Sequence, residues 1–373
     1  MQSYSNLPEE IIIDVLSRLP AKSVGRCRCV WKPWRALLSR PKFIRAHLDR
    51  SRNLGQESLI FISESHYALF SVSLDSAQQV FDEITISATK LSFADHPDSW
   101  VRVYATCDGL VLVGGKEHKK FVLNPVTREI REVPPSPFAL DPGACFIMHG
   151  LGYDSVSDDY KIVTLSFYDT DNECGYDPAT DDYCTEMFVN VYSLKSNSWR
   201  RAESSPYDHA VSHVTSGVFV NGCIHWLASR TTDYKSAIVG FDLVHEKFHE
   251  VPPPNSIDSD ELVFNYPALL GGRLCLFDET ESYIWMMKEY GVQESWTKFT
   301  MDDLDATEIK LLCSLGPEKI MLLKDDEKLV MYNFKEETMK DVVVRGASED
   351  LHAEASFVES LVSPHNDNET TIE

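Results

Sequence analysis

The spacing of apolar residues near the start of the chain is that of a helix. In "LPEEIIIDVLSRLP", residues 7 to 20, apolar side chains recur three and four positions apart, which places them on one helical face. They are Ile11, Val15, Leu16 and Leu19. Pro8 suits the first turn of such a helix, and Pro20 would end it. The pattern therefore predicts a short amphipathic helix between the two prolines.

The same spacing continues in "AKSVGRCRCVWKPWRALLSR", residues 21 to 40. Its apolar positions are Val24, Cys27, Val30, Trp31 and Trp34. Pro33 is expected to divide this stretch into two short helices. Helices this short cannot bury their apolar faces alone. We therefore expect residues 1–50 either to pack on the rest of the chain or to offer a surface to another protein.

From about residue 57 the pattern changes to short β-rich runs separated by turn residues. In a recurring unit, a polar turn residue is followed six positions later by a bulky apolar one. The pairs are Asp75 and Phe81, Asn124 and Ile130, Ser193 and Trp199, Asp242 and Phe248, and Asn333 and Met339. A looser copy runs from Lys288 to Trp296. Most copies begin 45 to 49 residues apart, and one interval of 69 contains an acidic insertion.

A period in the forties with several strands per unit is typical of β-propeller blades. The sequence thus predicts a small all-α region at 1–50 and an all-β, propeller-like domain of about six blades at 57–345. A pair of β-sandwiches explains the regular period less well. Residues 346–373 are acidic, and their composition predicts a disordered tail.

Charge divides the chain in the same place. Residues 1–52 hold 11 basic and 4 acidic side chains, whereas the remainder holds 24 and 54, a net charge of −30. Such a surface repels nucleic acid and favours a basic protein partner. The nine cysteines form no C-x-x-C pair, no export signal opens the chain, and no apolar run could span a bilayer. We expect a cytoplasmic or nuclear protein that does not bind membranes.

One stretch spells a zinc-protease signature, H-E-x-x-H, at residues 245–249. That motif binds zinc only on a helix, where both imidazoles share one face. The repeat instead places His245 in a turn and His249 in a strand, and three prolines follow from Pro252. No other nucleophile, phosphate-binding or metal-binding pattern is specific. We therefore predict no catalytic residue, metal or cofactor.

Residues 7–48 resemble the F-box. The residues that match are Leu7, Pro8, Glu10, Val15, Leu16, Leu19, Pro20, Val24, Val30, Lys32 and Trp34. The rest of the chain is similar to the F-box-associated domain of plant F-box proteins of the F-box/kelch-repeat and S-locus types. The phrases that carry this similarity are "CDGLVLV", "NPVTREIREVPPSPF", "LGYDSVSDDYKIV" and "VNGCIHWLA". Trp31 departs from the pattern, since Cys or Ser is usual there.

The resemblance implies a non-catalytic substrate receptor of a cullin-RING (SCF-type) ubiquitin ligase, whose F-box docks on a Skp-type adaptor and thereby on a cullin. The expected adaptor-binding residues are Leu7, Pro8, Ile11, Val15, Leu16, Leu19, Pro20, Val24, Val30 and Trp34. The β domain would then capture a protein for ubiquitylation. An enzyme with a metal or sugar site at the propeller axis remains the alternative.

The acidic insertion is the candidate site for target binding. It is the longest departure from the repeat, and it combines carboxylates with tyrosines, which suit a basic partner. The candidate residues are Tyr168, Tyr176, Asp181, Asp182 and Tyr183.

Overall fold

A computed structural model describes residues 8–365 with several gaps. The gaps are 75–77, 81–82, 94–95, 97–98, 141–144, 169–186, 210–215, 234, 256, 258–261, 263–264, 279–282, 302–308, 317, 326 and 347–349.

Four short helices open the chain. They are α1 (Glu9–Leu16), α2 (Ala21–Val30), α3 (Lys32–Leu38) and α4 (Pro41–Asn53). Pro8 directly precedes α1 instead of lying in its first turn. The helix already ends at Leu16, so Pro20 does not end it as predicted but directly precedes α2. The expected break between α2 and α3 falls at Trp31, whose backbone is extended, while Pro33 lies in the first turn of α3. A proline there needs no amide partner, so it starts the second helix and does not interrupt it.

The rest of the described chain is built from strands. In chain order they are β1 (Glu57–Ser63), β2 (Ala68–Ser73), β3 (Gln78–Val80), β4 (Glu83–Ser87), β5 (Thr89–Leu91), β6 (Trp100–Cys107), β7 (Leu110–Gly115), β8 (Lys120–Asn124), β9 (Glu129–Val133), β10 (Cys145–Asp154), β11 (Asp159–Tyr168), β12 (Phe188–Ser193), β13 (Ser198–Arg201), β14 (Tyr207–Asp208), β15 (Val218–Val220), β16 (Cys223–Arg230), β17 (Ser236–Asp242), β18 (Phe248–Val251), β19 (Asn265–Leu270), β20 (Arg273–Asp278), β21 (Tyr283–Met287), β22 (Trp296–Thr300), β23 (Ile309–Ser314), β24 (Lys319–Lys324), β25 (Lys328–Asn333), β26 (Thr338–Arg345) and β27 (Leu351–Val358).

These strands form six sheets, which are the blades of a β-propeller. Blade 1 has the order β27-β1-β2-β5, and blades 2, 3 and 5 are β6 to β9, β10 to β13 and β19 to β22. Blade 4 is built on β16 to β18, with β14 and β15 both paired to β16. Blade 6 contains β23 to β26, extended by β4 and β3. The first strands of neighbouring blades contact one another in a closed ring, so they line the axis. The prediction of about six blades is confirmed.

Burial follows this ring. Six separate apolar clusters lie between successive blades, one at each of the six interfaces, including the one between blades 6 and 1. A single blade has two apolar faces and cannot cover either by itself. Stacking around an axis covers both faces of every blade, which is why the repeat has to close.

The closure corrects the prediction of a disordered tail. Residues 351–358 are strand β27, which pairs antiparallel with β1 and supplies the innermost strand of blade 1. Residues 359–362 are also buried. The acidic composition was misleading because some of these carboxylates form hydrogen bonds within the fold. Glu359 accepts one from Ser58, and Asp350 accepts one from Ser63. Residues 366–373 lie outside the described part of the chain.

The sequence repeat has a physical origin in one type of hairpin turn. The side chains of Asn124, Asp242 and Asn333 each accept hydrogen bonds from the backbone N–H groups two and three positions later. Four positions after each lies a residue with positive φ. The bulky residue six positions after the turn residue then lies opposite the residue that precedes the turn residue, on the neighbouring strand. Ile130 of β9 thus pairs with Leu123 of β8. The first copy, at 75 and 81, lies outside the described residues.

The helices pack on one end of the propeller, which we call the helix-side face. It contains the β6–β7, β8–β9 and β10–β11 turns, represented by Asp108, Val126 and Asp158. The opposite end is called the far face. Since adjacent strands are antiparallel, the β11 to β12 connection starts and ends at the far face.

Candidate functional site

The helical region has its own small core, which sorts the predicted adaptor-binding residues into two groups. Leu16 and Val24 are buried in it. They pack with Ala21, Leu38, Phe43 and Leu361. A side chain in that position can shape a docking surface but cannot contact a partner. The expectation that Leu16 and Val24 contact an adaptor directly is therefore wrong, because α1 and α2 use these positions to hold each other.

The remaining predicted residues lie at or near the surface. Pro8, Ile11, Val15, Pro20 and Val30 are exposed, and Leu19 and Trp34 are partly buried. Leu7 lies outside the described residues. Ile11 and Val15 are one helical turn apart on α1 and share a face. These side chains are available to a partner.

Sequence reasoning missed one residue on this surface. Trp31 departs from the family pattern, yet more than half of it is exposed. Its extended backbone turns the chain between α2 and α3, and its ring lies edge-on to Trp34, with centroids 6.4 Å apart. The available signal was Pro33, because a proline favours the first turn of a helix and so places the helix start close to Trp31.

The His245–His249 stretch adopts the turn and strand that the repeat predicted. His245 is exposed in the turn and contacts Asp242, with Nδ1 3.0 Å from Oδ2. Glu246 has positive φ and pairs with Lys161 and Arg200. His249 lies in β18 opposite Gly240. No helix brings the two histidines together, so the geometry of a zinc protease is absent from this stretch.

His249 instead joins a different histidine. The Nδ1–H of His225 donates to the Val218 carbonyl, 3.1 Å away, which leaves Nε2 to accept from the Tyr290 hydroxyl at 2.8 Å. The same hydroxyl oxygen accepts from Nε2 of His249 at 3.2 Å. Burial lowers the pKa of His225 to about 4, so its ring is neutral at physiological pH. Both ring nitrogens of His225 are hydrogen-bonded, which has the character of core packing.

At the far face the predicted target-binding residues are mostly outside the described chain. Tyr176, Asp181, Asp182 and Tyr183 fall in the gap at 169–186, and Tyr168 is placed only by its backbone, opposite Cys145. The strand ends that flank this gap are described. They carry an aromatic group that the sequence analysis did not single out.

Phenylalanines occupy both sides of blade 3 at this end. Half-exposed Phe146 stacks on Phe167, with ring centroids 5.6 Å apart. On the other side, the Arg201 guanidinium lies over the rings of Phe188, at 4.6 Å, and Phe138, at 5.5 Å. Large aromatic side chains and arginine are the residue types that anchor protein interfaces. The far end of blade 3 therefore offers contact groups beside the acidic insertion.

The described residues provide little support for a catalytic centre at the axis. They contain no group of three or more His, Cys, Asp or Glu side chains placed to hold a metal ion. A cavity of about 200 Å³ lies between blades 4 and 5, lined in part by Asn221, Arg273, Lys288 and Tyr290. Its lining residues lie at and near the helix-side turns of those blades. No helix within the described ranges is both long and apolar enough to cross a membrane.

Comparison with known proteins decides the family. An F-box-like model matches residues 4–51, and a model described as the F-box associated beta propeller domain matches residues 58–363. The chain belongs to the F-box proteins with an F-box-associated β-propeller. The model boundary at 363 includes β27, in agreement with the closure of blade 1.

Similar F-box proteins occur in Arabidopsis thaliana. F-box protein CPR1 is 32% identical over 96% of this chain and 89% of its own length. F-box/kelch-repeat protein At3g23880 is 25% identical over 98% of both chains. Among solved structures, TolB from Acinetobacter baumannii has a TM-score of 0.36 at 8% identity, over 81% of this chain and 66% of that one, a likeness too weak to carry an argument. An F-box joined to a β-propeller implies the role of a substrate-recognition adaptor in an SCF complex.

Proposed function

We propose that this chain is the substrate-recognition subunit of a cullin-RING ubiquitin ligase. Its F-box binds a Skp-type adaptor, and through it a cullin, while the propeller captures the protein to be ubiquitylated. The chain itself catalyses no step. Its contribution is to hold a target lysine near activated ubiquitin, which raises the effective concentration of the two reactants.

The observation that carries this proposal is the exposed apolar surface of the F-box. Thirteen large apolar side chains are exposed in the described chain, and four of them lie between residues 11 and 31. These are Ile11, Val15, Val30 and Trp31. Apolar surface in water costs roughly 25 cal/mol per Å² compared with the same surface buried. A cluster of such residues in a segment matched by the F-box model is best explained as an interface.

A matched pair of valines tests adaptor binding. Val30 is 74% exposed at the end of α2, and Val156 is 76% exposed in the β10–β11 turn of the propeller. Lysine at a helix C-terminus is favourable, so Val30→Lys should leave the F-box folded. We expect Val30→Lys to weaken binding of a purified Skp-type adaptor at least ~10-fold, as loss of an interface anchor does. Val156→Lys should bind like the parent. Equal affinity of Val30→Lys and the parent would refute the assignment.

Target capture is proposed for the far face, at blade 3 and the insertion at 169–186. Supporting features are the exposed Phe146, the Arg201 contacts and the seven carboxylates of the insertion. The net charge of −30 outside the first 52 residues favours a basic target. We place this activity in the cytoplasm or nucleus, since the sequence shows the reduced-cysteine pattern of those compartments.

A further inference from the structure

The contact between the F-box and the propeller centres on one carboxylate. Asp108, in the turn between β6 and β7, has a side chain that is 1% exposed. Arg45 donates to its Oδ2 at 3.0 Å, Arg52 donates to its Oδ1, and the Tyr160 hydroxyl donates to Oδ2 at 2.9 Å. Asp108 thus joins blade 2 both to α4 and to blade 3. Charge-assisted bonds of this kind are strong and directional.

The two arginines reach Asp108 from different levels of one helix. Arg45 and Arg52 are seven positions apart, about two turns, or roughly 10 Å along the axis of α4. Because both side chains bind the same carboxylate from points so far apart on α4, they constrain the direction of the helix axis as well as the distance of the helix from the propeller. Arg45 is held further by the Tyr153 ring, 3.9 Å from its guanidinium carbon.

The last described residues reinforce the same point. The Ser360 hydroxyl donates to the backbone carbonyl of Asp108 at 2.6 Å. Asn124, in the neighbouring turn, donates to the Val362 carbonyl at 2.7 Å. Residues 359–365, which we call the C-terminal strap, therefore pass between the F-box and the turns of blade 2. Asp108 binds this strap with its main chain and α4 with its side chain.

Apolar contacts also cross this interface, but they act differently. Leu48 of α4 lies in the cluster between blades 2 and 3, and Leu361 of the strap lies in the F-box core. The hydrophobic effect favours burial and has no preferred direction. These leucines hold the two parts together but prefer no direction. The directional contacts converge on Asp108, and Arg45 adds a longer ion pair with Asp158, at 3.8 Å.

We infer that Asp108 is a positioning residue that fixes the orientation of the F-box relative to the propeller. If the adaptor docks on the F-box and the target on the far face, as in the proposed function on which this inference rests, Asp108 determines where the target lies relative to the adaptor. A fixed angle restricts which lysines come close to activated ubiquitin. If the angle between the F-box and the propeller varied, more lysines would come close to activated ubiquitin, while adaptor binding and target binding would keep their strength.

The first test measures orientation and needs no partner. Spin labels introduced as unnatural amino acids at Arg18, in the turn that follows α1, and at Glu289, in the β21–β22 connection of blade 5, report the distance across the interface. Asp108→Asn removes the charge while keeping a residue that tolerates the left-handed backbone of this position, φ +54°. We expect a single narrow distance distribution in the parent and a distribution at least twice as wide in Asp108→Asn. Arg45→Met combined with Arg52→Met, which acts from the helix side, should give the same broadening.

The matched control is Asp154→Asn. Asp154 is also a buried aspartate on the helix-side face, at the last position of β10, and it pairs with Lys161 at 2.8 Å inside the propeller. Its variant loses a comparable ion pair, so the distribution should stay as narrow as that of the parent. A broad distribution in the parent, or identical widths in the parent, Asp108→Asn and the double arginine variant, would overturn the inference.

The second test reads the consequence in a reconstituted ligase. The full chain is combined with a Skp-type adaptor, cullin, RING protein and ubiquitin-charging enzymes, and the lysines modified on the chain itself are mapped. We expect a small set in the parent and in Asp154→Asn, and at least twice as many sites in Asp108→Asn. An unchanged set in Asp108→Asn contradicts the positioning role. Failure of the parent to bind the adaptor would contradict the proposed function, whereas the distance measurement would still judge the role of Asp108.

Discussion

The F-box and the propeller bury their apolar residues in opposite ways. Each blade covers the next, so the propeller is closed upon itself with one apolar cluster at every interface. The F-box has four helices of 7 to 13 residues that share a single cluster, and this cluster includes Leu361 from the opposite end of the chain. Helices of that length are marginal without tertiary contacts.

The comparison teaches that the F-box is not a self-contained unit. One side is completed by the C-terminal strap and by the propeller turns beneath α4. The other side leaves Val30 and Trp31 in solvent, which the proposed function assigns to an adaptor. Substitutions that affect the F-box and spare the propeller, or the reverse, can therefore test this division.

The largest expected effect comes from Leu361→Ala. Removing a buried leucine commonly costs about 2–5 kcal/mol, and here the cavity would open in the F-box core. We expect urea unfolding to show a loss of that size, together with weaker binding of the adaptor. Leu276→Ala, a fully buried leucine in blade 5, is the matched control. Leu276→Ala should lose similar stability, while the protein that remains folded keeps its adaptor affinity. Weaker adaptor binding by Leu276→Ala together with unchanged binding by Leu361→Ala would contradict the comparison.

Two glycines sharpen the comparison at the level of single turns. Gly109 and Gly222 have φ of +84° and +80° in equivalent first hairpins of blades 2 and 4. A Cβ on Gly109 would lie 2.6 Å from the Val358 carbonyl oxygen and closer still to Ser360, whereas a Cβ on Gly222 would meet nothing within 4 Å.

The alanine variants of both glycines should differ in stability. Backbone strain alone should cost Gly222→Ala roughly 1 kcal/mol. Gly109→Ala adds steric overlap with the strap, which should raise its cost by about 1–3 kcal/mol more. Thermal unfolding of the two variants measures the difference. Equal losses would mean that the strap does not pack on blade 2 as described.

The smallest effect on stability is expected at the far face. Deleting residues 171 to 184 should leave unfolding and adaptor affinity unchanged, because the deletion removes no described core residue. Capture of a target identified by crosslinking to the parent should weaken several-fold, most at low salt, where screening is least. A variant of full length with the seven acids of residues 169–186 changed to Asn or Gln separates charge from chain length. Undiminished capture by both variants across ionic strengths would place the target site elsewhere.

Local patterns in the sequence were enough to predict the helices and the blades. Apolar residues three and four positions apart predicted the helices, and the turn chemistry of Asn124, Asp242 and Asn333 repeats at blade spacing. Both predictions depend only on residues that are close together in the chain. The same local turn signal separated His245 from His249 and excluded a helical zinc motif there.

Long-range contacts could not be predicted in this way. Strand β27 joins blade 1 from nearly 300 residues away, and its acidic surroundings resembled those of a disordered tail. Asp108 lies 63 residues from Arg45 and 52 from Tyr160 in the sequence. The sequence therefore indicated the Asp-Gly turn but not the partners of its carboxylate. Burial of Leu16 and Val24, as opposed to Val15 and Val30, depended on how α1 and α2 cross, which helical periodicity alone does not fix.

Hydrogen exchange of the full chain with and without a purified Skp-type adaptor tests the central claim most directly. If the F-box is completed by an adaptor, backbone amides of α1 to α3 should become protected on binding. Amides at the far end of blade 3, around Phe146 and Phe188, should exchange as in the free chain. Protection at the far face without protection of residues 9–38, or no protection anywhere at saturating adaptor, would contradict the account.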